Sequence, residues 1–253
     1  MKKVLTLVAL AAAAFTASMS AQAGVLRSTI DFNTVDPSPF APFAPLLLHG
    51  DEFYQNGLDG RTMFFDPFSN SAIAEPGVSL VGILADGSDP TTCLNAQCPA
   101  NNSTQYLAML ADAAVVFGST DGFRFSVKSF DASWIGNGEA LQSTPGFVRL
   151  QGVRNGLSTT ATFALTGLNA SNQLNFSAIN TGAFGNIEFD YVYAYGFACP
   201  PPGGGTTCSA FSTDRAQFGI DNITIEHVPE PASLALLSVA GLAAFRASRR
   251  RAV

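Results

Sequence analysis

The chain has 253 residues, of which 47% are hydrophobic, and it is rich in Gly (23) and Phe (21) but holds only four cysteines. Its 13 Lys and Arg face 19 Asp and Glu; six of the basic residues lie in the two terminal segments and every acid lies between Gly24 and Glu230, so residues 24–230 carry a formal charge of −12. Phosphate neutralisation needs a basic surface, which argues against a nucleic-acid partner, whereas an acidic body suits solubility, cation association or a hydrated matrix.

At the N-terminus, Lys2 and Lys3 precede an apolar run over residues 4–15 and a small-x-small site at Ala21-Gln22-Ala23. This is the pattern of a cleaved signal peptide over residues 1–23, with the mature chain beginning at Gly24. An uncleaved membrane helix is the alternative, and the apolar run is too short to favour it. Residues 24–227 show no linker and no repeat of fixed period, so they are read as one domain. Their wealth of Phe, Gly, Thr, Ser and Asn favours strands joined by turns over helices.

Residues 25–32 form the first expected strand, with Leu26, Ser28, Ile30 and Phe32 on one face. Pro37, Pro39, Pro42 and Pro45 then make an irregular loop that continues through residues 50–60. A short strand is expected near residues 78–84 and turn from there to Asn102. Residues 106–117 fit a helical face (Tyr106, Met109, Leu110, Ala113, Phe117) or two short strands; the sheet pattern downstream selects strands.

In residues 123–134 the apolar positions run Phe123, Phe125, Val127 and then Phe130, Ala132, Trp134, so the phase slips once near Lys128 or Ser129, as at a β-bulge. Ala161, Phe163 and Leu165 alternate with threonines in a half-buried strand, with others predicted at Val148 and Leu150 and at Leu174 and Phe176. The longest alternation places Ile187, Phe189, Tyr191, Tyr193, Tyr195 and Phe197 on one face, and Glu188, Asp190, Val192 and Ala194 on the other. Such a stripe is either the sandwich core or a platform on which sugar rings stack; the core is favoured, with binding assigned instead to Tyr54 or Trp134. The last strand, residues 217–226, carries a second phase slip at Asp221-Asn222. The expected fold is therefore all-β.

The cysteines form two local pairs, Cys93 with Cys98 and Cys199 with Cys208, in loops rich in Pro, Gly, Thr and Asn. Of three connectivities, the two local disulfides are favoured in an oxidising compartment. A zinc site is the sharper alternative, but the spacings are not C-x-x-C and no histidine is near.

The C-terminus has three parts: Val228-Pro229-Glu230-Pro231, an apolar segment from Ala232 to Phe245, and a basic end at Arg246, Arg249, Arg250 and Arg251. About 14 helical residues span ~21 Å, short of a ~30 Å hydrocarbon core, and the arginines place the body outside the cytoplasm. A buried core helix would not end in such a cluster. The three parts in this order resemble the PEP-CTERM sorting signal of Gram-negative bacteria. The resemblance implies export, a transient tether to the inner membrane by a short transmembrane helix, and processing by an exosortase at or near Pro229–Pro231. The segment QFGIDNITI is similar to the closing strand of many ectodomains bearing this signal, and that likeness implies a single jelly-roll-like β-sandwich.

Catalytic groups are sparse. His49 and His227 are the only histidines, and no Gly-rich phosphate loop with Lys, metal-spaced His pair or nucleophile elbow is present. Calcium ligands could come from Asp31 and Asp221, which equally fit turn or bulge hydrogen bonding. No cofactor is otherwise expected. The sequence thus suggests an exported, non-enzymatic surface or matrix protein, with exopolysaccharide as a candidate partner. A carbohydrate-binding module is the alternative, and a secreted glycan hydrolase the more distant one.

Overall fold

The computed structural model describes residues 24–35, 46–89, 92, 97–136 and 141–227. Among these the strands are β1 (Leu26–Ile30), β2 (Leu46–Leu48), β3 (Phe53–Asn56), β4 (Thr62–Phe68), β5 (Leu80–Asp86), β6 (Gln105–Met109), β7 (Ala114–Ser119), β8 (Ser126–Trp134), β9 (Gly146–Arg154), β10 (Leu157–Leu165), β11 (Ser177–Asn180), β12 (Tyr191–Ala198) and β13 (Phe218–His227). A seven-stranded sheet has the order β11-β8-β13-β6-β5-β2, with β1 also on β13, and a six-stranded sheet has the order β10-β9-β12-β7-β4-β3. The two pack as a sandwich. Phe130 of β8 meets Phe163 of β10 edge-on at 5.5 Å, and Phe32 meets Phe65 of β4 at 5.2 Å.

The all-β expectation holds, and several of its details change. Residues 50–60, read as loop, contain β3, in which Phe53 and Gln55 are buried while Tyr54 and Asn56 are exposed. A polar inward residue, Gln55, hid that alternation. Neither β2 nor β4 was anticipated, the latter because Pro67 interrupts it. Pro67 lies beyond the part of β4 paired with β3, and its carbonyl accepts from Gly50 at 3.3 Å, so the missing N–H costs no ladder bond. The strand expected at Leu174 and Phe176 begins later, at Ser177; Leu174 makes only an isolated bridge to Pro99. The first strand ends at Ile30, because Phe32 takes a left-handed φ of 56° that turns its ring into the core.

Both phase slips are real, and they face each other. Along β13 and β8 the partners run Asp221 with Asp131, Thr224 with Ser129, and Ile225 with Val127. One extra residue in β13 is therefore followed by one extra residue, Lys128, in β8, and the register returns to its starting value. Paired bulges let Phe218 and Ile220 on one side of the slip, and Ile223 and Ile225 on the other, all reach the core. Asn222 supplies the kink with a φ of 49°, and its side-chain amide donates to Asp131 at 2.9 Å.

The outer face of the seven-stranded sheet is covered. Tyr106, Ala108, Ile83 and Ala85 form a second small core there, against which Cys98 and Phe176 pack, and Phe176 meets Tyr106 edge-on at 5.0 Å. The same loops bury Asp221, which accepts from Asn102 Nδ2 at 2.8 Å, Thr104 Oγ1 at 3.3 Å and its neighbour's backbone N–H. Burial outweighs these bonds and, with the Asp131 carboxylate beside it, pushes the Asp221 carboxyl up to about 6.

A folded-state value above the unfolded value of about 3.9 means that the Asp221 contribution is full below pH ~4 and is lost as pH rises through about 6. Asp221→Asn cannot ionise and should escape that loss. Melting temperatures of variant and wild type measured from pH 4 to pH 8 should therefore diverge in favour of the variant by several degrees. A difference that stays flat with pH would refute the assignment.

Candidate functional site

Strand β12 lies in the middle of the six-stranded sheet, paired with β9 on one side and β7 on the other. Its burial alternates without interruption: Val192, Ala194, Gly196 and Ala198 are buried, while Tyr191, Tyr193, Tyr195 and Phe197 are half-buried. The aromatic stripe therefore points outward, and the expectation that it forms the core is corrected. Its first two members also separate from the rest. Phe189 is buried and bridges Phe125, and the chain breaks phase at Asp190. There Arg124 Nε donates to the carboxylate at 2.7 Å and the Asn155 N–H does so at 2.7 Å, which holds the Asp190 carboxyl below the usual range.

Register fixes which residues share this outer face. Tyr193 lies beside Gln151 of β9 and Val116 of β7, and Val116 lies beside Asp66 of β4. Tyr195 lies beside Arg149 and Ala114, with Phe68 next in line, while Tyr191 lies beside Gly118, with Phe64 and then Tyr54 beyond. Rings touch along and across the strands: Tyr191 and Tyr193 at 5.5 Å, Phe68 and Tyr193 at 6.0 Å, Tyr195 and Phe197 at 5.8 Å. Arg149 sits 4.4 Å over Phe197 and donates to Thr162 at 2.8 Å. Tyr195 donates to Gln151 at 3.3 Å. The result is a row of aromatic rings ~20 Å long, at about 3.3 Å per strand residue, with Tyr191 perpendicular to Tyr193 and hydrogen-bonding side chains between the rings.

One described segment reaches over this face. The Cys199–Cys208 disulfide is formed, and the chain that follows carries Phe211, which stacks on Tyr195 at 5.1 Å and is 37% exposed. Asp112, in the turn between β6 and β7, holds that chain in place. Its buried carboxylate accepts four backbone N–H groups, from Ser212 (2.8 Å), Thr213 (2.8 Å), Asp214 (3.0 Å) and Ala216 (2.5 Å). Neither Asp112 nor Phe211 was singled out from sequence, since nothing local links a turn aspartate to a loop about a hundred residues later.

The remaining sequence candidates are dispersed. Tyr54 is 55% exposed at the edge of this face, whereas Trp134 is 3% exposed and belongs to the core. His49 accepts from the Ser69 N–H at 3.2 Å, and His227 packs on Phe123 at 4.1 Å. Asp31 closes a turn by accepting from Asn33 at 3.2 Å, and among the described residues no group of three or more His, Cys, Asp or Glu could hold a metal. Cys98 is disulfide-bonded. Its expected partner Cys93, the signal-cleavage residues Ala21 and Ala23, and the tail from Val228 through Pro229, Glu230, Pro231, Ala232, Phe245, Arg246, Arg249, Arg250 and Arg251 lie outside the described residues. Gly24 is exposed.

The class defined so far is a β-sandwich with one covered and one aromatic, open sheet face. Residues 227–251 match the PEP-CTERM protein-sorting motif, and the chain carries that motif, which implies export, membrane anchoring and exosortase processing. No curated protein matches the sequence. Among solved structures it is similar to the family 32 CBM from C. perfringens NanJ in complex with galactose, at 9% identity over 65% of this chain and 93% of that one, with a TM-score of 0.32. TmCBM61 in complex with β-1,4-galactotriose is similar at 8% identity over 78% and 98% of the two chains, with a TM-score of 0.27.

Removing the Asp112 carboxylate leaves four N–H donors without their acceptor, at about 1–3 kcal/mol for each that stays buried and unpaired. That rivals the roughly 2.5 kcal/mol expected from chain entropy for a disulfide joining residues nine apart. Asp112→Ala should lower the melting temperature by about 8 °C or more and weaken the near-ultraviolet circular dichroism of the Tyr195–Phe211 stack. Unchanged melting would show that the loop is held by something else.

Proposed function

We propose that this is an exported, exosortase-sorted surface protein whose sandwich domain binds polysaccharide on the outer face of the six-stranded sheet, without catalysis. The observation that carries the reading is the outward row Tyr191, Tyr193, Tyr195 and Phe197 in a central strand. Half-buried rings in a row present apolar faces and edges, while Gln151, Arg149 and Thr162 between and beside them supply donors and acceptors. A pyranose has the same two-sided character: C–H groups on its faces and hydroxyls around its rim. A partner protein core would leave those interspersed polar groups unpaired, at a cost in free energy.

The sorting motif supports the setting. Its processing would free the domain at the cell surface or into an extracellular matrix, where exopolysaccharide is the abundant ligand. A strongly acidic body stays soluble in such a hydrated gel.

The mature protein isolated from its native cell should begin at Gly24 and end within Pro229–Pro231, by intact-mass measurement; the same C-terminus in a strain lacking the exosortase would remove the sorting step. In affinity electrophoresis through the host's own exopolysaccharide, the wild type should be retarded. The double variant Tyr193→Ala, Tyr195→Ala should lose the retardation by at least about tenfold in affinity while melting within a few degrees of wild type, since stacking on each ring contributes on the order of 1 kcal/mol. Equal retardation of both proteins would end the proposal.

A further inference from the structure

Asp66 is the feature of this face that no described contact accounts for. It stands on β4 between Phe64 and Phe68, all three on the outer side, and one strand of separation, at Val116, lies between it and Tyr193. Its Oδ1 is shielded from solvent yet has no hydrogen-bond partner among the described residues. The other carboxylates of this region are engaged: Asp190 with Arg124 and Asn155, Asp112 with four N–H groups, and Glu52 with the Tyr54 hydroxyl. Burial beside Phe64 and Phe68, with the Glu52 charge nearby, raises the Asp66 carboxyl, and His49 offsets this only in part.

We infer that Asp66 is the polar contact point of the glycan site and that it selects neutral polysaccharides over uronate-bearing ones. This rests on the glycan-binding reading above and goes further by naming the ligand class. An ionised carboxylate is an acceptor only, so its missing partner must donate. Sugar hydroxyls do so, and a pyranose stacked on Tyr193 brings its rim hydroxyls toward β4, one strand spacing beyond Val116. A carboxylated sugar in the same position would bring like charge against Asp66, with Glu52 close by; the His49 imidazole offsets this only in part, and Arg149 lies on the opposite side of β12, over Phe197 and bonded to Thr162. Repulsion in a site with shielded oxygens is screened less than at an open surface.

The test uses polysaccharide pairs that share a backbone and differ in free carboxylate: hydroxyethylcellulose with carboxymethylcellulose, and fully methyl-esterified polygalacturonan with polygalacturonate, alongside the host exopolysaccharide. Affinity electrophoresis of the purified full-length protein should give at least one neutral member bound about tenfold or more tightly than its anionic counterpart. Asp66→Asn should narrow that ratio to within about twofold, chiefly by gaining affinity for the anionic member, while Tyr193→Ala weakens both alike. If the wild type binds the anionic member as well as the neutral one, or if Asp66→Asn keeps the original ratio, the Asp66 inference falls and glycan binding stands. If no polysaccharide, host material included, retards the protein, the glycan reading falls and takes this inference with it. The wild-type ratio alone decides the selectivity should Asp66→Asn fail to fold.

Discussion

The space between the two sheets is what the rest of the structure answers to. Facing sheets stand about 10 Å apart, room for one layer of large side chains. In this sandwich the seven-stranded sheet and the segments leading into β8 and β12 fill it, with Phe130, Trp134, Phe218, Phe125 and Phe189. Opposite those rings, β9 and β12 of the six-stranded sheet must then present small residues inward, whereas β3, β4 and β7 contribute Phe53, Phe65 and Phe117 of their own. A Cβ on Gly152 would lie 2.4 Å from the Phe189 ring, and one on Gly146 would lie 2.3 Å from Trp134. On β12 the inward positions are Val192, Ala194, Gly196 and Ala198, and the two-residue period of a strand sends its four aromatics the other way.

Outward aromatics are not an automatic consequence of a full core, because a loop could have covered them. The seven-stranded sheet shows how: its outer face is roofed by the segments around Cys98 and Phe176, which bury Tyr106 completely. Over the six-stranded sheet the only described roof is Phe211, fixed by Asp112 at one end of the row. That contact shapes the end of the row and leaves Tyr191 and Tyr193 accessible. Apolar area left in water costs roughly 25 cal/mol per Å², so a face of this kind reads as a surface with an occupant.

Periodicity made much of the fold legible and misassigned the site. The two phase slips, at Lys128 and at Asp221-Asn222, were readable because bulges change which parity carries Phe and Ile, and the structure sets them opposite each other in one strand pair. Strand β3 was missed because Gln55 occupies an inward position, and β4 because Pro67 sits where a neighbouring strand has already ended. For β12 both parities are apolar, so alternation could not say which faces in. The inward choice depends on how much room Trp134 and Phe189 leave, a property of residues far away in sequence. The signal that was present is the set Val192, Ala194, Gly196, Ala198: four small residues in a row fit beneath a layer of rings.

The sorting motif begins at residue 227, where β13 ends, and β13 belongs to the seven-stranded sheet. That end of the strand is tied down on its own terms: Glu226 to Arg27 and Lys128, and His227 Nδ1 to Glu188 at 2.9 Å, with Phe123 packed on the imidazole. The registered partners of β13 on β6 and β8 lie at or before Glu226. The aromatic row lies on the opposite sheet and shares no residue with this junction. The face that β12 presents is therefore built without any residue of the strand that leads into the motif.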